Sequence, residues 1–221
     1  MTPIDDAARM TARILLEIEA ITIRPAEPFI LTSGWASPVY VDCRKVISFP
    51  RARRAIIDAA VAKIEREIGF ESIDAIAGGE TAGIPYAAWI ADRLGLPMLY
   101  VRKKPKGFGR NAQIEGIFPE GARVLLVEDL ASDGKSKLIF VDALRKAGAV
   151  VSDALVVFFY SAFPQGLKVL DEAGVRLLSL ATWENVLAIA DADPRFSSDD
   201  ILEVRRFLAD PAAWSAAHGG A

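Results

Sequence analysis

The sequence predicts an α/β fold in which helices flank a central, mostly parallel sheet. Short runs of branched apolar residues alternate with longer segments of helical periodicity, the order expected when helical crossovers join parallel strands. The run VLLV at residues 124–127 has no polar interruption, as is typical of a strand buried on both faces. At 221 residues the chain can form one sizeable domain with a large core, and we expect a single domain over residues 1–221.

The N-terminal region, about residues 1–45, is predicted to lie outside this sheet. Apolar residues recur with helical spacing over residues 7–20. Two short apolar runs, 29–31 and 39–41, flank a turn rich in Ser, Gly and Pro, and we expect them to pair as a hairpin. A long amphipathic helix is predicted next, over residues 48–68.

The core, about residues 46–180, is predicted to alternate strands with helices, and further helices are expected over residues 181–221. Apolar runs define the strands, and apolar residues three and four positions apart define the helices. Thr182 is expected to cap the helix that follows it. The predicted strands are 73–77, 96–101, 124–127, 154–160 and 175–180, and the predicted helices are 83–94, 138–147, 167–173, 183–190 and 201–208.

An acidic pair, Glu128 and Asp129, follows the VLLV strand. Ligands of open α/β sheets bind at the carboxyl ends of the strands. Residues 131–136 are mostly small or hydroxyl-bearing and lead into a helix, so backbone N–H groups and the helix dipole can hold a phosphate there. The pair can bind sugar hydroxyls or a magnesium-loaded diphosphate. A structural alternative is that it only ends a strand and caps a helix.

Two further loops leave strands that are predicted to be neighbours. Residues 78–83 contain three glycines, which let a backbone approach a ligand closely, although a tight strand-to-helix turn needs only one. Residues 102–110 contain five cations and two glycines. A solvated basic loop is the usual explanation of such a run. The charges also suit a diphosphate leaving group, and the glycines suit a loop that closes as a lid.

The composition excludes several classes of protein. Lys and Arg number 26 against 29 Asp and Glu, and the net charge of −3 gives no general attraction to nucleic acid or acidic membranes. A single cysteine, Cys43, excludes an internal disulfide and a thiolate metal cluster. The apolar runs are too short to span a membrane, and the first residues lack the apolar core of a signal peptide. We therefore expect a cytoplasmic protein with neither nucleic-acid nor membrane partners.

Four stretches, in their order and spacing, resemble the orotate phosphoribosyltransferases of the type I phosphoribosyltransferase family. The resemblance covers slightly more than half of the chain, from about Phe29 to Gly148, and four ordered motifs are more specific than any one of them. They are FILTSG at 29–34 with Ser37-Pro38 and Asp42-Cys43-Arg44, AGGETAGIP at 77–85, VRKKPKG at 101–107, and VLLVEDLASDGKS at 124–136.

The resemblance implies a type I phosphoribosyltransferase fold with a small N-terminal hood over the base. It implies transfer of the 5-phosphoribosyl group from phosphoribosyl diphosphate (PRPP) to orotate, giving orotidine 5′-phosphate and diphosphate, a reaction of pyrimidine nucleotide biosynthesis. Mg²⁺ is the implied cofactor. The implied assembly is a homodimer with shared active sites, in which the basic loop reaches the neighbouring subunit's site.

The resemblance also implies roles for individual residues, and it assigns no direct metal ligand. The catalytic residues are Lys103, Lys106 and Asp129, and the base-binding residues are Thr32, Ser33 and Tyr40. The PRPP-binding residues are Glu80, Thr81, Arg102, Lys103, Lys106, Glu128, Asp129, Ala131, Ser132, Asp133, Gly134, Lys135 and Ser136.

Three positions differ from the usual family pattern. Phe108 stands where many members have a histidine in the basic loop, and Thr32 stands where many have a lysine. No arginine occurs at 161–164, where many members bind orotate. Two alternatives follow: a phosphoribosyltransferase for another base, or a non-catalytic PRPP-binding regulator. A regulator that binds nucleic acid should show a basic face, which the net charge of −3 does not favour.

Overall fold

A computed structural model of the chain describes residues 5–31, 33–107, 113–132, 134–162 and 164–220, without the side chains of residues 135 and 164–166. The described residues form two compact units: residues up to Phe49 together with those from Ala181 onward, and residues Pro50–Leu180. None of the helices in these ranges is both long enough and apolar enough to cross a membrane. The assignment of residues 1–221 to a single domain stays a prediction.

The first unit contains small antiparallel sheets and helices from both ends of the chain. Its helices pack through buried aromatic and aliphatic side chains, among them Leu15, Leu16, Trp183 and Phe207. The N-terminal elements are α1 (Asp6–Glu17), β1 (Ile21–Ile23), β2 (Phe29–Ile30), β3 (Ala36–Ser37), β4 (Val39–Val41) and a 3₁₀ helix (Cys43–Ser48). The C-terminal elements are α6 (Trp183–Ala190), α7 (Ser198–Ala209) and α8 (Pro211–Ala217).

The predicted hairpin between residues 29–31 and 39–41 is wrong in its pairing. β2 pairs with β3, and β4 pairs with β1. β1 was not predicted from the sequence. Runs of two or three residues carry too little periodicity to select their partner. The expected cap is confirmed, because Thr182 is the N-cap of α6 and its N–H donates to Asn185 Oδ1 (2.8 Å).

The second unit is built on a six-stranded sheet with flanking helices, as predicted. The strand order is β10-β9-β8-β5-β6-β7, with parallel pairing of β5 with β6, β5 with β8, and β8 with β9, and an antiparallel β6–β7 edge. The elements are α2 (Pro50–Glu67), β5 (Ala75–Gly79), α3 (Gly83–Leu94), β6 (Met98–Val101), β7 (Ile114–Glu115), β8 (Val124–Ala131), α4 (Lys135–Lys146), β9 (Asp153–Phe159), α5 (Pro164–Glu172) and β10 (Arg176–Thr182).

β8 extends four residues beyond the predicted strand 124–127. Glu128 lies opposite Val156 of β9, and Ala131 lies opposite Phe159. The ladder with β9 continues past the apolar run, so the acidic pair lies inside the last half of the strand and not after it. The edge strand β7 and the helix α8 were also missed, the latter because its Ala-rich sequence carries little apolar periodicity.

Candidate active site

The carboxyl ends of β5, β6 and β8 meet at one edge of the sheet, as predicted. Gly79 pairs with Val101, and Gly78 pairs with Val127. The glycine-rich loop and the basic loop therefore leave the sheet beside the acidic pair of β8. Because these strands are parallel and adjacent, their loops share the edge where α/β folds bind ligands.

Glu128 is buried, and its two carboxylate oxygens meet different surroundings. Oε2 lies 3.4 Å from Lys137 Nζ, in an ion pair whose side chains are 9% and 8% exposed. Oε1 makes no hydrogen bond of acceptable geometry among the described residues. A Cβ added at either Gly79 or Gly83 would lie 2.5 Å from Oε1. The carboxylate is thus lodged between two glycine backbones and one lysine.

Close packing requires glycines within residues 78–83, in addition to the predicted close approach of a ligand. A Cβ at Gly79 would meet both the Glu128 carboxylate and the buried Phe140 ring, the latter at 2.6 Å. A Cβ at Gly78 would lie 2.7 Å from Ile84 Cα. These positions have no room for a side chain because β5, the start of α3 and β8 pack tightly.

Burial raises the pKa of Glu128 to about 7. The charge on neighbouring Asp129 also raises this pKa, whereas Lys137 and the nearby Gly83 N–H lower it. Desolvation penalises the charged form of a carboxyl, so the ion pair only partly offsets the penalty. Glu128 therefore titrates near neutral pH in the absence of ligand.

Asp129 and the loop after β8 offer a more open surface. Asp129 and Ser132 are half-buried, Ser136 is exposed, and Ala131 is fully buried at the end of the strand. Gly134 precedes α4 with a φ of 72°, a left-handed conformation that glycine adopts without strain. Because Gly134 has no side chain to cap the helix, the first turn of α4 presents backbone N–H groups, which suit a phosphate.

The basic loop is anchored at its base by a hairpin-like edge. Arg102 N–H donates to Gln113 O (2.7 Å), and the Arg102 guanidinium donates to Glu115 Oε1 at 2.7 and 2.9 Å. Lys103 N–H donates to Glu80 Oε2 (2.8 Å), which ties the loop to the end of β5. The side chains of Lys103 and Lys106 are exposed. Lys103 and Lys106 thus extend into solvent from a base that hydrogen bonds hold in place.

Among the remaining predicted residues, Thr81 is exposed and forms a cis peptide with Glu80. Ser33 and Tyr40 belong to the first unit. Ser33 Oγ accepts a hydrogen bond from Trp35 N–H at 3.5 Å, and Tyr40 is 40% exposed with its ring 5.5 Å from that of Phe29. Their base-binding role stays a prediction.

Some predicted positions fall outside the described residues. They are Thr32, Asp133 and Phe108, together with the end of the basic loop at Arg110. For Lys135, only the backbone is described, as the first residue of α4. The roles assigned to these residues, and closure of the loop as a lid, stay predictions.

Sequence reasoning missed Lys137 and Glu115. Lys137 carried a usable signal, because it lies three, four and seven positions before the buried Phe140, Val141 and Leu144. A lysine at a core position of a helix should have a partner, since burying an unpaired charge is costly. Glu115 carried no signal, because a strand of two residues has no detectable period.

Residues 50–192 match the family described as the phosphoribosyl transferase domain. An orotate phosphoribosyltransferase of Cereibacter sphaeroides is 56% identical over 96% of this chain and 91% of its own length. The chain belongs to the orotate phosphoribosyltransferase family. The crystal structure of orotate phosphoribosyltransferase from Aeropyrum pernix is similar with a TM-score of 0.71 and 32% identity, over 82% of this chain and 98% of that one.

A second structural relative is the UMP synthase of Leishmania donovani, with a TM-score of 0.76 and 27% identity over 91% of this chain and 42% of that one. The family predicted from the four motifs is therefore confirmed, and so is the type I phosphoribosyltransferase fold around a mostly parallel sheet. The chain is a phosphoribosyltransferase enzyme of the orotate phosphoribosyltransferase family.

Proposed function

We propose that the edge formed by β5, β6 and β8 transfers the 5-phosphoribosyl group from PRPP to orotate, giving orotidine 5′-phosphate and diphosphate. The observation that carries the proposal is the meeting of an acidic strand end, a helix start with glycine as its N-cap and a cationic loop at one edge. PRPP has three matching parts: a ribose with hydroxyls, a 5-phosphate and a diphosphate. The base is inferred to be orotate because the chain belongs to the orotate phosphoribosyltransferase family.

Each part of PRPP is assigned to a separate group of residues. The 5-phosphate is held by the loop 131–136 and the start of α4, where the dipole favours negative charge. Asp129 accepts hydrogen bonds from the ribose hydroxyls, with Glu128 beside it. Lys103 and Lys106 neutralise the diphosphate as it leaves, aided by Arg102 and the backbone of Glu80 and Thr81.

The reaction needs electrostatic stabilisation more than proton transfer. A ring nitrogen of orotate forms a bond to C1 of PRPP, and the bond between C1 and the diphosphate oxygen breaks. Orotate is already an anion, so a strong general base is not required. The ribose passes through a cationic state, which a nearby carboxylate stabilises, and the loop cations stabilise the departing diphosphate.

Mg²⁺ is proposed to accompany PRPP. Among the described residues, no group of three or more His, Cys, Asp or Glu side chains is placed to hold a metal ion. The Glu128 carboxylate is turned toward Lys137 and two glycines. The described side chains therefore do not form a resident site. Oxygen ligands from diphosphate and water suit Mg²⁺, which keeps part of its hydration shell.

Recognition of orotate is proposed to involve Ser33 and Tyr40, together with Thr32. Tyr40 offers a half-exposed aromatic face and a hydroxyl that lies 3.4 Å from the Arg44 guanidinium. An aromatic face next to a cation suits a planar carboxylate-bearing base. This part of the proposal rests on the family resemblance and on the exposure of Ser33 and Tyr40.

The substrate is tested by following the ultraviolet absorbance of orotate in the presence of PRPP and Mg²⁺. We expect loss of orotate that depends on all three components, with equimolar release of diphosphate. Parallel reactions with uracil, adenine and hypoxanthine test the alternative of another base. Diphosphate release with one of these and not with orotate would replace the proposed substrate, and PRPP binding without turnover of any base would support a regulator.

We further propose that the active species is a cytoplasmic homodimer in which the basic loop serves the partner subunit's site. The exposure of Lys103 and Lys106 supports this, because they are available to a second molecule. A Lys103→Ala subunit mixed with an Asp129→Asn subunit should recover activity in hybrid dimers, since one of the two sites would contain neither substitution. Verified hybrids that stay inactive would show that each subunit completes its own site.

A further inference from the structure

Lys137 is a buried cation in an unfavourable position. It lies on the first turn of α4 and is 6% exposed. Burial penalises its charge, and the positive end of the helix dipole is close by. The groups that compensate are the Glu128 carboxylate, 3.4 Å from Nζ, and the Ser136 hydroxyl, which accepts a hydrogen bond from Nζ at 3.2 Å. Both belong to the segment assigned to PRPP.

We propose that Lys137 is a positioning residue for phosphoribosyl transfer, which fixes the Glu128 side chain and favours its ionised form at the PRPP-binding edge. The inference rests on the proposed function, because the assignment of this edge to PRPP does. It adds a residue that the four motifs did not assign. Lys137 acts through Glu128 and need not touch the substrate.

The surroundings of Glu128 show why this lysine matters. From its own strand, the Asp129 charge disfavours ionisation, as burial does. From α3, the Gly83 N–H favours it weakly, and from β5, Gly79 contributes only backbone. From α4, Lys137 supplies the one cation among the described side chains that affect the pKa of Glu128. Without that cation, burial and the Asp129 charge would both favour the neutral form of Glu128. Only the Gly83 N–H, among the groups named above, would favour the ionised form.

A purely structural role for the pair makes a different prediction. Buried ion pairs are often replaceable by apolar residues without loss of stability, so the pair is weak evidence of a stabilising device. If Lys137 only filled space, Lys137→Met would change activity by the same factor at every pH. If it favours the ionised form of Glu128, the substitution must change the pH dependence itself.

The direct test is the titration of Glu128, followed by NMR of ¹³C-labelled glutamate side chains and assigned with Glu128→Gln. In the wild type we expect a midpoint near pH 7. In Lys137→Met the midpoint should rise by about one pH unit or more, because an opposite charge within a few ångströms lowers a carboxyl pKa by that amount. Lys146→Met, at the exposed end of the same helix, should leave it unchanged. An unchanged midpoint in Lys137→Met overturns the proposal.

The kinetic test compares kcat/KM for PRPP at pH 7 and pH 9. If the midpoint moves from about 7 to about 8, the ratio of the pH 9 value to the pH 7 value should rise about five-fold over that of the wild type. Lys137→Arg keeps the charge and should keep the wild-type ratio. A loss that is equal at both pH values would show a merely structural role.

Lys137→Gln serves as a second neutral variant if Lys137→Met does not fold, and the same midpoint shift is expected. The titration also separates this inference from the proposed function. A wild-type protein that does not consume orotate would refute the substrate, while the NMR midpoints would still report whether Lys137 controls Glu128.

Discussion

The acidic end of β8 and the basic loop between β6 and β7 meet at the same edge of the sheet but hold their charges in opposite ways. Glu128 and Lys137 are buried together, with side chains 9% and 8% exposed. Lys103, Lys104 and Lys106 are exposed, and the Lys103 backbone ties the base of the loop to Glu80. The acidic end of β8 buries a few charges among closely packed groups, and the basic loop presents several charges to solvent.

The difference teaches where single charges matter. A buried charge interacts strongly because water does not screen it, so Glu128 has a defined partner in Lys137 and a raised pKa. Exposed charges are screened by water and each contributes little free energy, so several of them can act together on one ligand. Substitutions at β8 should therefore have larger effects than substitutions in the loop, and the following predictions test that ranking.

The largest effect is expected for Asp129→Asn. Losing this carboxylate removes contacts to ribose in the transition state, and kcat should fall by about 10²–10³-fold. The thermal midpoint should change little, because Asp129 is half-buried and the core of β8 is formed by residues 124–127 and Ala131. The matched control is Asp142→Asn, an exposed residue of α4. A variant with near wild-type kcat would remove Asp129 from the catalytic residues.

The second effect concerns the pH dependence of stability. Burial raises the pKa of Glu128 from its ordinary 4.5 to about 7 in the folded protein. Between these values the folded state binds more protons than the unfolded state, so the free energy of unfolding falls as the pH rises. Glu128 alone should lower it by about 3 kcal/mol across this window.

Urea unfolding of the wild type and Glu128→Gln at pH 5 and pH 8 measures this contribution. Glutamine cannot titrate, so the fall between the two pH values should be smaller in the variant by that amount. Equal falls in both proteins would mean that Glu128 has an ordinary pKa and that the two regions differ less than their burial indicates.

The third effect lies in the basic loop. Lys103→Ala should lower kcat/KM for PRPP by about 10- to 100-fold, because a cation that stabilises the leaving diphosphate is lost. The neighbouring Lys104 matches no assigned position, and Lys104→Ala should change kcat/KM by less than about two-fold. Both side chains are exposed, so neither variant should lose stability. Equal losses in the two variants would show that only the total charge of the loop matters.

The smallest effect is expected for Glu115→Gln. In the ligand-free protein, Glu115 holds the Arg102 guanidinium at 2.7 Å, and PRPP must compete with it. Removing the half-exposed carboxylate should lower KM for PRPP by about two- to five-fold, in line with the free energy of an exposed ion pair. The control is Glu120→Gln, a substitution of an exposed residue that precedes β8. A raised KM would show instead that Glu115 orients Arg102 for the substrate.

The sequence by itself determined the fold class, the family and the edge of the sheet where the loops meet. Strong apolar runs placed β8 and its parallel neighbours, and helical spacing placed α3 at residues 83–94, as observed. Four ordered motifs identified the family. These features are local in sequence, so a single chain is enough to detect them.

The tertiary structure decided the pairing of the short N-terminal strands, the extension of β8 to Ala131, and the partners of the charges. Lys137 lies nine positions after Glu128, and Glu115 lies thirteen after Arg102. No local pattern links such residues, because they are brought together by the packing of a helix on a strand and by an edge hairpin. Burial, which sets the pKa of Glu128, is likewise a property of the packed sheet and helices.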